Sequence, residues 1–208
     1  MKILTMEQRS DEWFAARLGL FTASSFAKII TPKTMRLSSQ AEGEINKIIA
    51  EMYTGKSEVC TPQSDAMLRG VELEEQALEF FNFTNGHNFK EVGFVDSENG
   101  YGCSPDGLEV ENKMGLELKC PLSHTHIKYL RDGKLPEEYK LQIQGSLMIT
   151  GFDKWIFGSY HPDLPCVCIE VGRDEELIEK LRAALDSCVK TAKEVLESLP
   201  KIKSEETA

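Results

Sequence analysis

The sequence predicts a mixed α/β core with an N-terminal helical layer. Three observations carry that prediction. Apolar side chains up to about residue 85 recur at helical spacing. From residue 89 the period shortens, and turn residues punctuate short strands. A helix, two strands and a long helix then close the chain. At 208 residues and 23.4 kDa the chain has the size of one domain, or of one with a small helical appendage. The reading takes residues 1–200 as a single domain, with a helical layer over 1–85, a core over 86–172 and a C-terminal helix over 173–199. Residues 201–208 are read as a disordered tail.

The elements follow in order. Ser10 or Asp11 can cap a helix carrying Trp13, Phe14, Ala16 and Leu18, which stops at Gly19. A short helix starts near Ser24 and carries Phe26, Ala27, Ile29 and Ile30. Residues 31–38 form a loop around Pro32. Ile45, Ile48, Ile49 and Met52 define a third helix that ends before Gly55. A long helix spans about Ser64 to Phe83. Strands are expected at 89–96 and 101–104, then at 108–111 and 116–120, with a Pro105-Asp106-Gly107 turn between the pairs. Pro136 suits the start of a helix that runs to Thr150 and stops at Gly151. Strands at 154–160 and 166–171 precede a last helix over 174–198.

Composition bounds the function. Hydrophobic residues make 41% and charged residues 28%, ordinary values for a globular chain. No apolar run approaches the ~18–20 residues that cross a bilayer. The N-terminal apolar stretch is too short for a signal-peptide core, so a cytoplasmic protein is expected. Six cysteines stand at 60, 103, 120, 166, 168 and 188 without a Cys-x-x-Cys pair. They read as reduced thiols. A zinc or iron–sulfur site from Cys120, His124, His126, Cys166 and Cys168 is disfavoured by its spacing. The net charge is −10, which taken alone argues against a polyanionic ligand. The charge is uneven, however: residues 1–36 carry +3, residues 37–111 carry −11, and residues 112–140 carry +2. The acidic middle could serve divalent cations and the basic segments an anion, against the simpler reading of solvated surface charge.

Two patterns carry chemistry. In Leu116-Glu117-Leu118-Lys119-Cys120, strand alternation puts Leu116, Leu118 and Cys120 on the core face. Glu117 and Lys119 then point together to the other face, and a hairpin can bring Asp106 beside Glu117. The simpler alternative is a surface salt bridge. On the long helix, Gly70, Leu73, Glu74, Ala77, Leu78 and Phe81 share a face on which Glu74 is the only charge. A carboxylate in an apolar stripe needs a cation, from Arg69 or elsewhere, or a metal. Three carboxylates and a lysine suit Mg²⁺ or Mn²⁺, which activate water and stabilise a phosphodiester under attack. Lys119 would supply a point charge near the water rather than act as a base.

Pro105-Asp106, ten residues, then Glu117-Leu118-Lys119 resembles the core motif of the PD-(D/E)xK nuclease superfamily. The wider pattern is more specific. Gln8-Arg9-Ser10-x-Glu12-Trp13 and Arg17-x-Gly19-x-x-Thr22-Ala23-Ser24 resemble the N-terminal block of the phage lambda exonuclease and YqaJ-like viral recombinase family. Gly70 with Glu74, Ser104-Pro105-Asp106-Gly107, Leu116 to Pro121, and Tyr139-x-x-Gln142-x-Gln144 follow in that family's order. The resemblance covers about residues 7–160.

The resemblance implies a restriction-endonuclease-like fold and a 5′→3′ exonuclease. Such an enzyme digests one strand of linear double-stranded DNA and leaves 3′ single strands for recombination. By position, Asp106, Glu117, the Leu118 carbonyl and Glu74 would be the metal ligands, for two Mg²⁺ ions or for Mn²⁺. Lys119 would stand beside the attacking water, with Gln142 and Tyr139 on the bordering helix. Arg17, Ser24, Ser104 and Gln142 would hold a 5′-phosphate, although Ser24 as an N-cap and Arg17 paired with Asp11 or Glu12 are the plainer readings. The resemblance also implies a homotrimeric ring around DNA, a single-strand annealing protein as partner, and a bacterial cytoplasm as the place of action. Lys28, Lys33, Arg36, Lys128, Arg131 and Lys134 are candidate channel residues, and Met67 a candidate strand separator. Other readings are a restriction or repair endonuclease of the same superfamily, or a non-catalytic DNA-binding assembly module. An iron–sulfur nuclease of the Cas4 kind lacks its cysteine set.

Overall fold

The computed structural model describes residues 1–31, 34, 36–57 and 65–200, with the side chains of 65–67 outside the description. Lys33, Cys60, the Met67 side chain and the tail 201–208 therefore lie outside the described residues. Two four-stranded mixed sheets are flanked by seven helices among these residues.

The first sheet has the order β1-β3-β4-β2, with β1 Lys2–Leu4, β2 Phe21–Thr22, β3 Phe94–Asp96 and β4 Tyr101–Cys103. The second has the order β5-β6-β7-β8, with β5 Gly107–Glu109, β6 Met114–Lys119, β7 Lys154–Ser159 and β8 Val167–Gly172. β6 and β7 run parallel, from Met114 beside Lys154 to Lys119 beside Ser159. The parallel crossover is built of α5 Ser123–Asp132 and α6 Glu137–Thr150.

The N-terminal layer holds α1 Asp11–Arg17, a 3-10 turn over Ala23–Ser25, α2 Phe26–Ile29, α3 Ala41–Thr54 and α4 Asp65–Asn85. Ser10 caps α1, its Oγ accepting from the Trp13 N–H at 3.2 Å. α7 Glu175–Ser198 is capped by Asp174 and buries Leu177, Ile178, Leu181, Leu185, Cys188 and Ala192 along one stripe.

α6 explains the architecture best. Eight of its last ten residues are apolar or small, and the helix touches strands of both sheets. It is consequently buried nearly all round from Leu141 to Thr150. Gly145 permits this, since a Cβ there would stand 2.4 Å from the Phe26 ring of α2. Trp155, Phe157, Leu141, Ile143 and Leu147 form the main core with Phe21, Phe26 and the α7 stripe. A second cluster joins Ala77 and Phe81 of α4 to Leu116 and Leu118 of β6 and to Cys120 just beyond it.

Three elements depart from the sequence reading. The layer expected to be helical over 1–85 also contributes the two short strands β1 and β2 to the first sheet. α5 was not expected. The strand expected over 89–96 pairs regularly only from Phe94, while Lys90 forms an isolated bridge with Leu108.

Candidate active site

The site begins at the β5–β6 hairpin. Gly107 pairs with Leu116, which sets Asp106 beside Glu117 just beyond the end of β5. The Asp106 N–H donates to the Leu116 carbonyl at 3.1 Å, and the Leu118 N–H donates to Asp106 Oδ2 at 2.6 Å. In a strand, a residue's N–H and C=O face the same edge. The Leu118 carbonyl is thus directed to the Asp106 side, while the Lys119 carbonyl accepts from Tyr160 on the β7 side.

Glu117 departs from the surface alternative: it is 2% exposed. Its Oε1 accepts from Lys119 Nζ at 2.5 Å and from Gln142 Nε2 of α6 at 2.6 Å. The Lys119 ammonium lies 5.3 Å from the centre of the Tyr139 ring, one turn before Gln142. Tyr139 is itself stacked on Phe157 at 5.2 Å. The sharing of one α6 face by Tyr139 and Gln142 is as expected. Gln144 instead braces the β8–α7 junction, donating to the Gly172 carbonyl and accepting from the Asp174 N–H.

Asp106 feels the charge of both other acids. Burial pushes the Asp106 carboxyl up to about 8, and the neighbouring charges of Glu117 and Glu74 add to the rise. Lys119 and the Leu118 N–H oppose it. Asp106 keeps one side open to the cleft. Burial would lower the Lys119 ammonium, but Glu117 and Asp106 outweigh it and hold Lys119 above its ordinary value. Lys119 is therefore kept protonated, which suits a fixed positive charge and not a general base.

Glu74 lines a cleft of about 560 Å³ together with Asp106 and Leu118. Its cation is not Arg69, which donates to the Cys120 and Pro121 carbonyls at 3.4 and 3.3 Å. It is Arg9, whose Nη2 reaches both Glu74 oxygens at 2.8 Å. Sequence reasoning quoted Gln8 and Arg9 without giving them a role. Gln8 Nε2 donates to the Val92 and Pro105 carbonyls, each at 2.9 Å, and so fastens the turn that carries Asp106. The signal was present in the Gln8-Arg9-Ser10 block, but a contact 65 residues along the chain has no periodic signature.

A second group forms at the neighbouring sheet end. Arg17 donates to Ser104 Oγ at 2.7 Å, and Trp13 Nε1 donates to the same oxygen at 3.0 Å. Arg17 lies over the Trp13 ring at 4.0 Å instead of pairing with Asp11 or Glu12. Burial lowers its pKa to about 10, while Glu51 helps keep it charged. Ser24 is exposed and lies 3.4 Å from Thr22 Oγ1. It makes no hydrogen bond to Arg17 or Ser104, but the parallel pairing of Thr22 with Gly102 brings both serines out at one sheet end. Gln142 is committed to Glu117.

Among the described residues no group of three acidic, histidine or cysteine side chains is placed to hold a metal ion. Glu74 is turned to Arg9, and Glu117 to Lys119 and Gln142. The donor chemistry still fits a hard divalent cation: a buried carboxylate, Glu117, and a half-buried one, Asp106, stand with a backbone carbonyl at the same edge. Burial pushes Cys103, Cys120 and Cys166 up to about 12, and His126 is enclosed by Ser159 Oγ and the Pro165 carbonyl, each at 2.8 Å.

Two mixed sheets flanked by helices bring Asp106, Glu117 and Lys119 together at one strand end. The profile of the YqaJ-like viral recombinase domain matches residues 12–153. The chain is 33% identical to an alkaline exonuclease from Laribacter hongkongensis, with a TM-score of 0.80, over 91% of this chain and 95% of that one. The same relative in complex with dAMP gives 32% identity and a TM-score of 0.79 over the same shares. A phage-related exonuclease from Haemophilus somnus is similar in fold, with a TM-score of 0.65 at 16% identity over 87% of this chain and 96% of that one. No curated protein matches in sequence. The chain belongs to the YqaJ-like viral recombinase family, and its relatives support a phage-type exonuclease. Among the described residues no helix is long and apolar enough to cross a membrane.

Proposed function

We propose that the chain is a metal-dependent 5′→3′ exonuclease that digests one strand of linear double-stranded DNA, leaving 3′ single strands for recombination by annealing. The observation that carries this reading is the Asp106–Glu117–Lys119 group at the open end of β6, in a chain 33% identical to an alkaline exonuclease. Asp106, Glu117, the Leu118 carbonyl and Glu74 are the groups to hold Mg²⁺, as two ions, or Mn²⁺ in its place. When bound, the ions supply an activated water and neutralise charge on the phosphodiester.

The protein's own groups do the rest. Lys119 holds a positive charge where the phosphoryl oxygens gain negative charge. Gln142 and Lys119 fix Glu117, so its second oxygen keeps one direction. Tyr139 walls off Lys119 from the α6 side. Arg17 and Ser104, with Ser24 emerging beside them and Gln142 toward the acids, form the 5′-phosphate pocket. The dAMP found with the relative fits this chemistry, since release of a 5′-mononucleotide is what exonucleolytic cleavage yields.

At the level of assembly, the reading includes a homotrimeric ring that encloses the duplex and a single-strand annealing protein of the same phage system, acting in the bacterial cytoplasm. A ring reconciles a net charge of −10 with a polyanionic substrate, because only the inner surface meets DNA. The test is a timed digestion of end-labelled duplex, with divalent ion and with chelator. Linear DNA bearing 5′-phosphates is degraded from the 5′ end and supercoiled circles survive. Equal cutting of circles would favour the endonuclease reading, and binding without cleavage the non-catalytic one.

A further inference from the structure

Arg9 is in an unusual position for a surface arginine. Its backbone has φ +70°, a left-handed conformation that is strained for a non-glycine residue. The neighbours impose it. Gln8 is tied to the Val92 and Pro105 carbonyls, and Ser10 caps α1 while donating to the Glu7 carbonyl at 2.7 Å. The turn thereby aims the guanidinium into the cleft above Asp106. Among the described residues that line this cleft, Arg9 is the single cation, facing Glu7, Glu74, Glu75, Glu91 and Asp106. Its pair with Glu74 has both oxygens engaged, yet the two side chains remain 40% and 35% exposed. A pair that open to water contributes little, so its exchange is cheap.

We propose that Arg9 is an exchangeable cation of the active site: it neutralises Glu74 while no divalent ion is bound there, and turns to the DNA phosphate when Glu74 is taken by an ion. The inference rests on the metal-nuclease reading. It predicts effects of opposite sign. Without Arg9, the cleft is more negative by one charge, so a divalent cation binds more tightly and a phosphodiester less tightly. A residue that merely propped up the fold would weaken both.

The test uses the full chain and two readouts. Mn²⁺ binding is measured by calorimetry without DNA, on wild type, Arg9→Gly, Arg9→Lys and Asp106→Asn. Glycine accepts the left-handed backbone, so Arg9→Gly keeps the turn, and Arg9→Lys keeps the charge. Arg9→Gly should tighten Mn²⁺ binding about fivefold and raise the KM for a short duplex about fivefold, with Arg9→Lys lying between it and wild type. Mn²⁺ affinity that is unchanged or weaker in Arg9→Gly overturns the exchange. If wild type and Asp106→Asn bind Mn²⁺ alike, or neither binds it, the metal-nuclease reading falls and this inference with it. Binding that needs Asp106 and ignores Arg9 leaves that reading standing and removes only the inference.

Discussion

Glu117 sits 2% exposed between an ammonium and an amide, and this single placement organises the site. The alternation Leu116-Glu117-Leu118-Lys119 already separated the charged pair from the core face, because the strand period is strict. That the charged face is also covered is not legible from the strand itself, since the cover comes from Gln142 of α6, 25 residues away, and only the family resemblance put that helix beside the acids. Gln142→Ala removes one donor from a buried carboxylate and should cost about 1–3 kcal/mol in chemical denaturation, together with a loss of cleavage. Lys119→Ala should lower the cleavage rate by several orders of magnitude; a small loss would place the stabilising charge elsewhere. Asp106 gives a pH prediction. Its folded pKa is raised above the unfolded one of about 4, so the folded chain binds the proton more strongly. The stabilising contribution is whole below pH 4 and fades as the pH rises toward about 8. Under chelator, wild type should therefore melt at a higher temperature near pH 5.5 than near pH 8.5, by a margin that shrinks in Asp106→Asn. An equal margin in both proteins would show that Asp106 is not the buried acid.

At the scale of elements, helices with a clear apolar stripe and a marked stop were legible. α3 ends at Gly55 and α6 at Gly151, both in the left-handed conformation, where the sequence placed them. β1 and β2 were not, because two or three residues cannot display a period and their pairing partners lie some 80–90 residues away. α5 was missed for a different reason. Ser123-His124-Thr125-His126 is a weak helix start with no side-chain cap, and tertiary contacts of His126 and Tyr129 hold it. Packing between elements was equally silent: nothing local marks Gly145 as the point where α6 meets α2. Gly145→Val would drive a methyl-bearing Cβ into the Phe26 ring and should cost about 1–3 kcal/mol. Urea denaturation measures it, and a neutral result would mean that α2 can retreat from α6.

At the scale of the whole molecule, charge and the proposed substrate are in tension, since on that reading a chain of net charge −10 approaches a polyanion. The tension resolves only if basic side chains are grouped. Lys128 and Arg131 of α5 and the nearby Lys134 are exposed on one short stretch, although Arg131 also pairs with Asp132 at 3.2 Å. Lys28 is less available, being held by Glu44 at 3.2 Å. The α5 group is therefore the better DNA-facing surface. Each lysine or arginine that neutralises a phosphate adds about 0.9 to the slope of log affinity against log salt. Replacing Lys128, Arg131 and Lys134 together by alanine should flatten that slope by about 2–3 and weaken duplex binding at low salt, without preference for sequence. Fluorescence anisotropy with a labelled duplex under chelator, across a salt series, reads both quantities. An unchanged slope would take α5 away from the path of the DNA.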